Sequence, residues 1–515
     1  APVGNHQELL PYLVRRLLEN GSNSSFINQL TDKQTDLDEL VENPCRRVEA
    51  TDCRPHRHIP LPVDLYGDER RNAIGWDLSD ADVVNEMETK LRQVCAHSWQ
   101  AAARVGGDDR QGESVALLNP ADSAQAVGRV CETDRQDVER ALALAADAAL
   151  PWDAAGGNKR ATILLAAADR FEEKAPELIA RVIREGGRTL RDAIAEVREA
   201  VDFCRYYALQ AKQEFERPRS LPGPTGEKNE LQLHGRGVFA CISPWNFPLA
   251  IFVGQIAAAL AAGNSVLAKP ARQTPLTGYH AICLLHEAGV PADVLHFLPG
   301  SGAAIGGQIL PDRRLSGVAF TGSTDTAWTI QRALADRQGA IVPLIAETGG
   351  QNVMIADSSA LPEQLVVDVL QSAFNSAGQR CSALRVLFVQ NEIAAPVIRL
   401  LAAAMQEIQI GDPVLLASDV GPLIDQDAAR SLQPHVARLQ REARLLQRID
   451  PPQNLQAGCF FPLQAFELES LAIVEKEVFG PVLNVVRYSA DQLERVIDAV
   501  NNTRYGLTLG VQSRI

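Results

Sequence analysis

Between residues 238 and 320 the chain repeats one pattern, and that pattern limits the fold more than any other part of the sequence. Apolar runs of strand length occur at 238–243, 265–269, 294–297 and 317–320, with helical stretches between them. Strands that alternate with helices pair in parallel, because each crossover returns the chain to the same end of the sheet. The expectation is an α/β chain with a doubly wound parallel sheet and a ligand at the C-terminal ends of its strands. One intervening helix, at 249–262 (LAIFVGQIAAALAA), is apolar enough to suggest a membrane span. At 1.5 Å per residue it is about 21 Å long, short of a bilayer core, so it reads as a core helix stopped by Gly263-Asn264.

The last of these strands runs into FTGS (residues 320–323), which ends a strand and opens a helix. Free backbone N–H groups at such a junction attract phosphate oxygens. Gly300-Ser301-Gly302 followed by Gly306-Gly307 lacks the G-x-G-x-x-G spacing and is set aside as a phosphate cradle. Beyond it lies LIAETGGQN, with Glu347 beside paired glycines that shield it little, and then SAFNSAGQRCSALR around Cys381. A cysteine is nucleophilic as thiolate and needs a base, positive potential or a helix N-terminus nearby. Cys381 therefore reads as a candidate nucleophile and Glu347 as its candidate base. Alone, a cysteine among small residues is more often a packing residue.

Taken together, PWNFP (244–248), AKPARQTP (268–275), FTGS, ETGGQN, GQRCS and EVFGP (477–481) resemble the aldehyde dehydrogenase family, in that family's order. AIAEVREAVDFCRYYA (193–208) and NNTRYGLTLG (501–510) resemble more narrowly the glutamate semialdehyde dehydrogenase half of bifunctional proline-utilising proteins. The resemblance implies a doubly wound NAD domain at 81–346 and an α/β catalytic domain at 347–515. It also implies that the catalytic domain is cut short at Ile515, before a loop that anchors the aldehyde's tail. Cys381 would form a thiohemiacetal and then a thioester, Asn246 and the Cys381 N–H would hold the oxyanion, and Glu347 would activate water. Trp245, Lys269, Arg272, Gly322, Ser323, Glu477 and Phe479 would meet the cofactor, and Phe374 and Ser382 the substrate. Arg272 departs from the pattern, standing where the family has a glutamate on the adenosine ribose. That exchange removes a ribose acceptor and leaves room for a 2′-phosphate; NAD stays the first expectation, with NADP the second.

The N-terminus carries its own signal. Tyr12, Arg15, Arg16 and Glu19 share one face of an amphipathic stretch that ends at Asn20-Gly21, and adjacent arginines can grip a carboxylate. Residues 1–30 resemble the last helix of a proline dehydrogenase barrel, where two such arginines hold proline beside FAD. Residues 31–80, polar and dotted with prolines, read as a linker. Cys45, Cys53, His56 and His58 fit no usual zinc spacing there, and no metal is expected.

A chain of 515 residues is long enough for two or three domains. Its net charge of −14 argues against nucleic acid as a partner of this chain. Nine scattered cysteines suit reduced thiols in a cytoplasmic enzyme. The expected partner is a small aldehyde, with homo-oligomers in the full-length protein and peripheral membrane contact left to its missing part. The leading expectation is NAD-dependent oxidation of glutamate semialdehyde. A coenzyme-A-acylating enzyme and a catalytically silent scaffold are the alternatives; Glu347 weighs against the first, and intact Asn246, Glu347 and Cys381 against the second.

Overall fold

The computed structural model describes residue 38, residues 41–54 and residues 59–515. The chain divides into two units, Ala1–Gly67 and Asp68–Ile515. In the first, helix α1 (Pro44–Ala50) starts at Asn43, whose side chain accepts the Cys45 N–H at 3.0 Å. The expected N-terminal helix with Arg15 and Arg16 lies outside the described residues, as do His56 and His58.

The second unit opens with α2 (Ala81–Cys95), β1 (Trp99–Ala102), β2 (Arg104–Val105), β3 (Asp108–Asp109), β4 (Val115–Asn119) and β5 (Asp122–Cys131). A continuous helix over 80–103, which the sequence suggests, does not form: the helix ends at Cys95 and β1 pairs in parallel with β5. Trp99 is buried under the Arg181 guanidinium, 4.8 Å from its ring. Burial against β5 outweighs the strong helix preference of Gln-Ala-Ala. Four helices follow: α3 (Arg135–Ala154), α4 (Gly157–Glu173), α5 (Ala175–Gly186) and α6 (Leu190–Glu214). A capping box between Asp134 and Asp137 starts α3, and left-handed Gly187 (φ 68°) ends α5. A hairpin, β6 (Arg219–Leu221) and β7 (Asn229–Leu231), then leads to the main sheet.

That sheet alternates β8 (Val238–Ile242), α7 (Ala250–Ala261), β9 (Ser265–Lys269), α8 (Pro275–Glu287), β10 (Leu295–Phe297), α9 (Gly302–Ile309), β11 (Leu315–Thr321), α10 (Thr324–Ala335) and β12 (Leu344–Glu347). The seven strands lie in the order β12-β11-β8-β9-β10-β2-β3, and the first five are parallel. Every residue of β9 is buried, as a central parallel strand with helices on both faces requires. Helix α7 is buried nearly all round and stops at Gly263, φ 88°. Among the described residues no helix is long and apolar enough to cross a membrane.

The second sheet is built from β13 (Asn352–Ala356), α11 (Pro362–Phe374), β14 (Leu384–Gln390), α12 (Asn391–Gln406), α13 (Gln426–Glu442), β15 (Arg444–Ile449), β16 (Leu463–Leu468), β17 (Val482–Tyr488), α14 (Leu493–Asn502) and β18 (Leu509–Gln512). Its six strands run β15-β16-β17-β14-β13-β18, parallel except at β15. The passage between sheets differs from the expected start at residue 347. Glu347 pairs with Thr321 as the last residue of β12, so it belongs to the first sheet, and the second begins at Asn352. Cys381 belongs to the second sheet, just before β14. Base and nucleophile candidates thus come from different sheets.

Candidate active site

The loop that carries Cys381 leaves α11 through Ser376 (φ 58°), Ala377 (φ 53°) and Gly378 (φ 66°), a left-handed run. The first two conformations cost about 1–2 kcal/mol each for residues with a Cβ, so surrounding bonds must hold them. Arg188, 3% exposed, donates to Ser376 Oγ. The Gln379 amide donates to Ser376 O at 3.1 Å and Pro422 O at 3.2 Å, and accepts from Ile424 N at 3.0 Å. Arg385, 1% exposed, donates to Gly378 O at 2.7 Å, Arg380 O at 2.9 Å and Gly480 O at 3.3 Å. Asn352 Nδ2 donates to Cys381 O at 2.6 Å, and Asn246 Nδ2 to Gln379 O at 3.1 Å. The segment before Cys381 is thereby tied to the PWNFP turn.

That turn is itself held by charge. Phe247 lies near two guanidinium groups, Arg188 at 4.7 Å and Arg380 at 5.7 Å from its centroid. Arg380 pairs with Asp192 at 2.6 Å. Glu196 accepts from Leu249 N at 2.7 Å and Ala250 N at 3.2 Å, anchoring the start of α7. Its other oxygen lies 3.9 Å from Arg188 Nε; burial pushes this carboxyl up to about 7 while Arg188 pulls it down.

Cys381 lines two cavities. One, about 490 Å³ and largely apolar, includes Phe203, Tyr207, Phe239, Ile251, Gln255 and Glu347. The other, about 320 Å³, includes Trp245, Asn246, Gly322, Ser323, Glu477 and Phe479. A larger recess, about 710 Å³ beside Tyr488 and Val496, includes neither Cys381 nor Glu347. Burial raises the Cys381 thiol, and the Glu477 carboxylate raises it further, against the Ser382 and Cys381 N–H groups and Arg385. The resting thiol is therefore mostly protonated at neutral pH. The Glu477 carboxyl is also raised by burial, opposed by Arg385, whose Nη2 lies 3.5 Å from it.

The Aldehyde dehydrogenase family profile matches residues 108–514. This chain belongs to the aldehyde dehydrogenase family. Residues 1–29 match a Proline dehydrogenase profile. The Bifunctional protein PutA of Salmonella typhimurium is 47% identical over 529 residues, covering 100% of this chain and 39% of that protein. The chain therefore spans about two fifths of the length of this curated relative. A 1-pyrroline-5-carboxylate dehydrogenase of Geobacillus thermodenitrificans is 34% identical, covering 90% of this chain and 87% of that protein. Among solved structures, a bifunctional proline utilization A protein aligns with a TM-score of 0.86 at 46% identity, covering 100% of this chain and 49% of that one. A Thermus 1-pyrroline-5-carboxylate dehydrogenase with bound NAD aligns at 0.81 and 29% identity, covering 89% and 88%.

Within this aldehyde dehydrogenase, most of the sequence-derived site residues converge. Trp245 meets Phe479 edge-on at 5.5 Å, and the Arg385 guanidinium lies 5.5 Å from the Phe479 centroid. Ser323 caps α10, accepting the Thr326 N–H at 3.3 Å, beside Gly322 on the smaller cavity. A Cβ on Gly349 would overlap the Glu477 carboxylate as it stands, so the glycine leaves that side chain its place on the cavity. These features fit a nicotinamide dinucleotide, with open backbone and a ring-sized slot against Phe479.

Two expectations do not hold as read. Phe374 is 1% exposed within the core of the second sheet, at the end of α11, with Leu370 one turn earlier packed against the same core, so it is not offered to substrate. Arg272 is exposed, and its Nε lies 3.3 Å from Glu132. Ser382 is exposed beside Cys381. Sequence reading missed Phe203 and Tyr207, whose spacing of four on α6 puts both on one face, stacked at 6.1 Å. It also missed Arg188, Gln255 and Arg385. Gln255 joins Ser243 Oγ at 2.8 Å to Thr321 Oγ1 at 2.9 Å behind the cavity wall.

Proposed function

We propose that this chain oxidises L-glutamate γ-semialdehyde, the open form of pyrroline-5-carboxylate, to L-glutamate with NAD. The observation that carries the reading is that Cys381 borders both cavities, so a bound aldehyde and a bound dinucleotide reach one sulfur from different sides. The names of the pyrroline-5-carboxylate dehydrogenase relatives supply the substrate class. In the longer protein this would be the second step of proline oxidation, following an FAD-dependent proline dehydrogenase to which residues 1–29 would belong, with Arg15 and Arg16 on proline. We place the protein in the cytoplasm, as a homo-oligomer.

The chemistry follows from the side chains. Cys381 Sγ first loses its proton to solvent and then adds as thiolate to the aldehyde carbon; a C–S bond forms and the carbonyl pair moves to oxygen. Asn246 Nδ2 and the Cys381 N–H stabilise that oxyanion in the thiohemiacetal. A nicotinamide would supply the hydride acceptor, and Phe479 and Glu477, on the smaller cavity, are the residues that would hold it. As the C=O bond re-forms, the C–H electron pair departs and a thioester remains on Cys381. Glu347 takes a proton from water, which adds to the thioester; the C–S bond breaks and the acid leaves. Lys269, Gly322, Ser323 and Trp245 line the remainder of the dinucleotide path.

Incubating the chain with NAD and pyrroline-5-carboxylate, with and without coenzyme A, tests this. NADH and glutamate should appear in equal amounts, with no effect of coenzyme A. An acyl-coenzyme-A product would favour the acylating alternative, and dinucleotide binding without any NADH would make the chain a scaffold.

A further inference from the structure

Three charged groups meet beside the N-terminus of α9. Lys269, the last residue of β9, is 5% exposed, and its ammonium donates to Pro270 O at 2.8 Å. An ammonium has three donors, and burying unused ones is costly. Burial lowers this lysine to about 8, and Glu132 is the opposite charge that resists the shift. Glu132 follows β5, and its carboxylate lies across the Gly300 turn, where a Cβ on Gly300 would come 3.8 Å from Glu132 Cδ. A Cβ on Gly302 would come 3.8 Å from Lys269 Cε, so the same turn passes both charges. Arg272, its side chain 65% exposed, touches Glu132 through Nε at 3.3 Å.

At the C-terminal ends of parallel strands, a carboxylate accepts both hydroxyls of an adenosine ribose, whereas a free guanidinium takes a 2′-phosphate. Both kinds of group are present here, and they are paired. We propose that Glu132 selects the cofactor: its carboxylate accepts the ribose hydroxyls opposite Lys269 and ties Arg272 away from the 2′ position. The chain would then prefer NAD despite its arginine at 272. This rests on the dinucleotide reading of the cleft. A half-buried carboxylate that keeps one edge free can serve ribose and guanidinium together, since it offers about four lone-pair sites.

Equilibrium binding of NAD and NADP, read by calorimetry, tests the idea without turnover. Glu132→Ala should weaken NAD about tenfold and tighten NADP several-fold, as expected for losing and gaining charge-assisted bonds. Glu132→Gln should shift both in the same directions by less. Arg272→Ala should leave NAD within about twofold, and added to Glu132→Ala it should cancel the NADP gain. Equal weakening of both dinucleotides by both Glu132 variants, or no change in either, would overturn the proposal. So would a loss of NAD binding in Arg272→Ala as large as in Glu132→Ala. A chain that binds neither dinucleotide would overturn the cofactor reading itself, a result distinct from these.

Discussion

The loop around Cys381 and the strand around Glu347 face one cavity but are held in opposite ways. Cys381 follows a left-handed turn fixed by Arg188, Gln379 and Arg385, each tied to a different element. Glu347 ends an edge strand whose residues 345–347 are exposed, with β11 as its sheet partner. A nucleophile must meet its target carbon in a narrow range of positions, and misplacement is costly. A base that delivers water needs room for that water and freedom to turn. On the proposed mechanism, each residue sits on the kind of support its role would need: Cys381 braced from several elements, Glu347 exposed at the end of an edge strand.

That contrast can be broken by experiment. Cys381→Ala should lower turnover by about 10⁴-fold or more while NAD binding persists. Residual NADH formation near the parent rate would remove the nucleophile from the mechanism. Glu347→Gln should slow steady turnover about 10²–10⁴-fold yet keep an NADH burst equal to the enzyme present. Loss of the burst as well would show that the base also serves attack.

Arg188→Met tests the bracing directly. The burst should slow about tenfold, with NAD affinity unchanged and Arg188→Lys recovering part of the rate. A slowed steady state with a normal burst would place the effect on hydrolysis instead. The smallest effect concerns the resting thiol. Glu477 is negative and raises Cys381, so Glu477→Gln lowers that pKa and enlarges the thiolate share below it. Iodoacetamide should then label Cys381 about two- to fivefold faster at pH 7 without cofactor, with the gain vanishing at high pH as both thiols ionise.

The alternation of strands at 238–320 was legible because burial on both faces demands apolar runs, and β9 matches its expected residues. Cys381, Glu347 and Asn246 were legible through motifs that meet around one cavity pair. Strand β1 was not, because Trp99–Ala102 lacks alternation strong enough to overrule its alanines, and only β5 decides it. Phe374 was misread because the motif puts it close to Cys381 in sequence, while its place on the buried face of α11 puts it in the core of the second sheet. Arg188 sits far from Ser376 in sequence, and no local pattern marks a long-range hydrogen bond. Arg272 shows the same limit, since its partner Glu132 lies on another strand's end.

Gly378 and Gly480 touch backbone to backbone, and a Cβ on Gly378 would overlap the Gly480 carbonyl oxygen. Arg385 clamps both carbonyls at once. The segment holding the sulfur and the segment holding Glu477 and Phe479 are thereby welded into one jaw. A jaw without an internal joint cannot gape, so widening the slot for a dinucleotide falls to the facing side, where Trp245 and Ser323 stand on the other sheet's turns. The position of the sulfur relative to Glu477 and Phe479 is then set by one clamp, whatever the proposed cofactor does on the facing side.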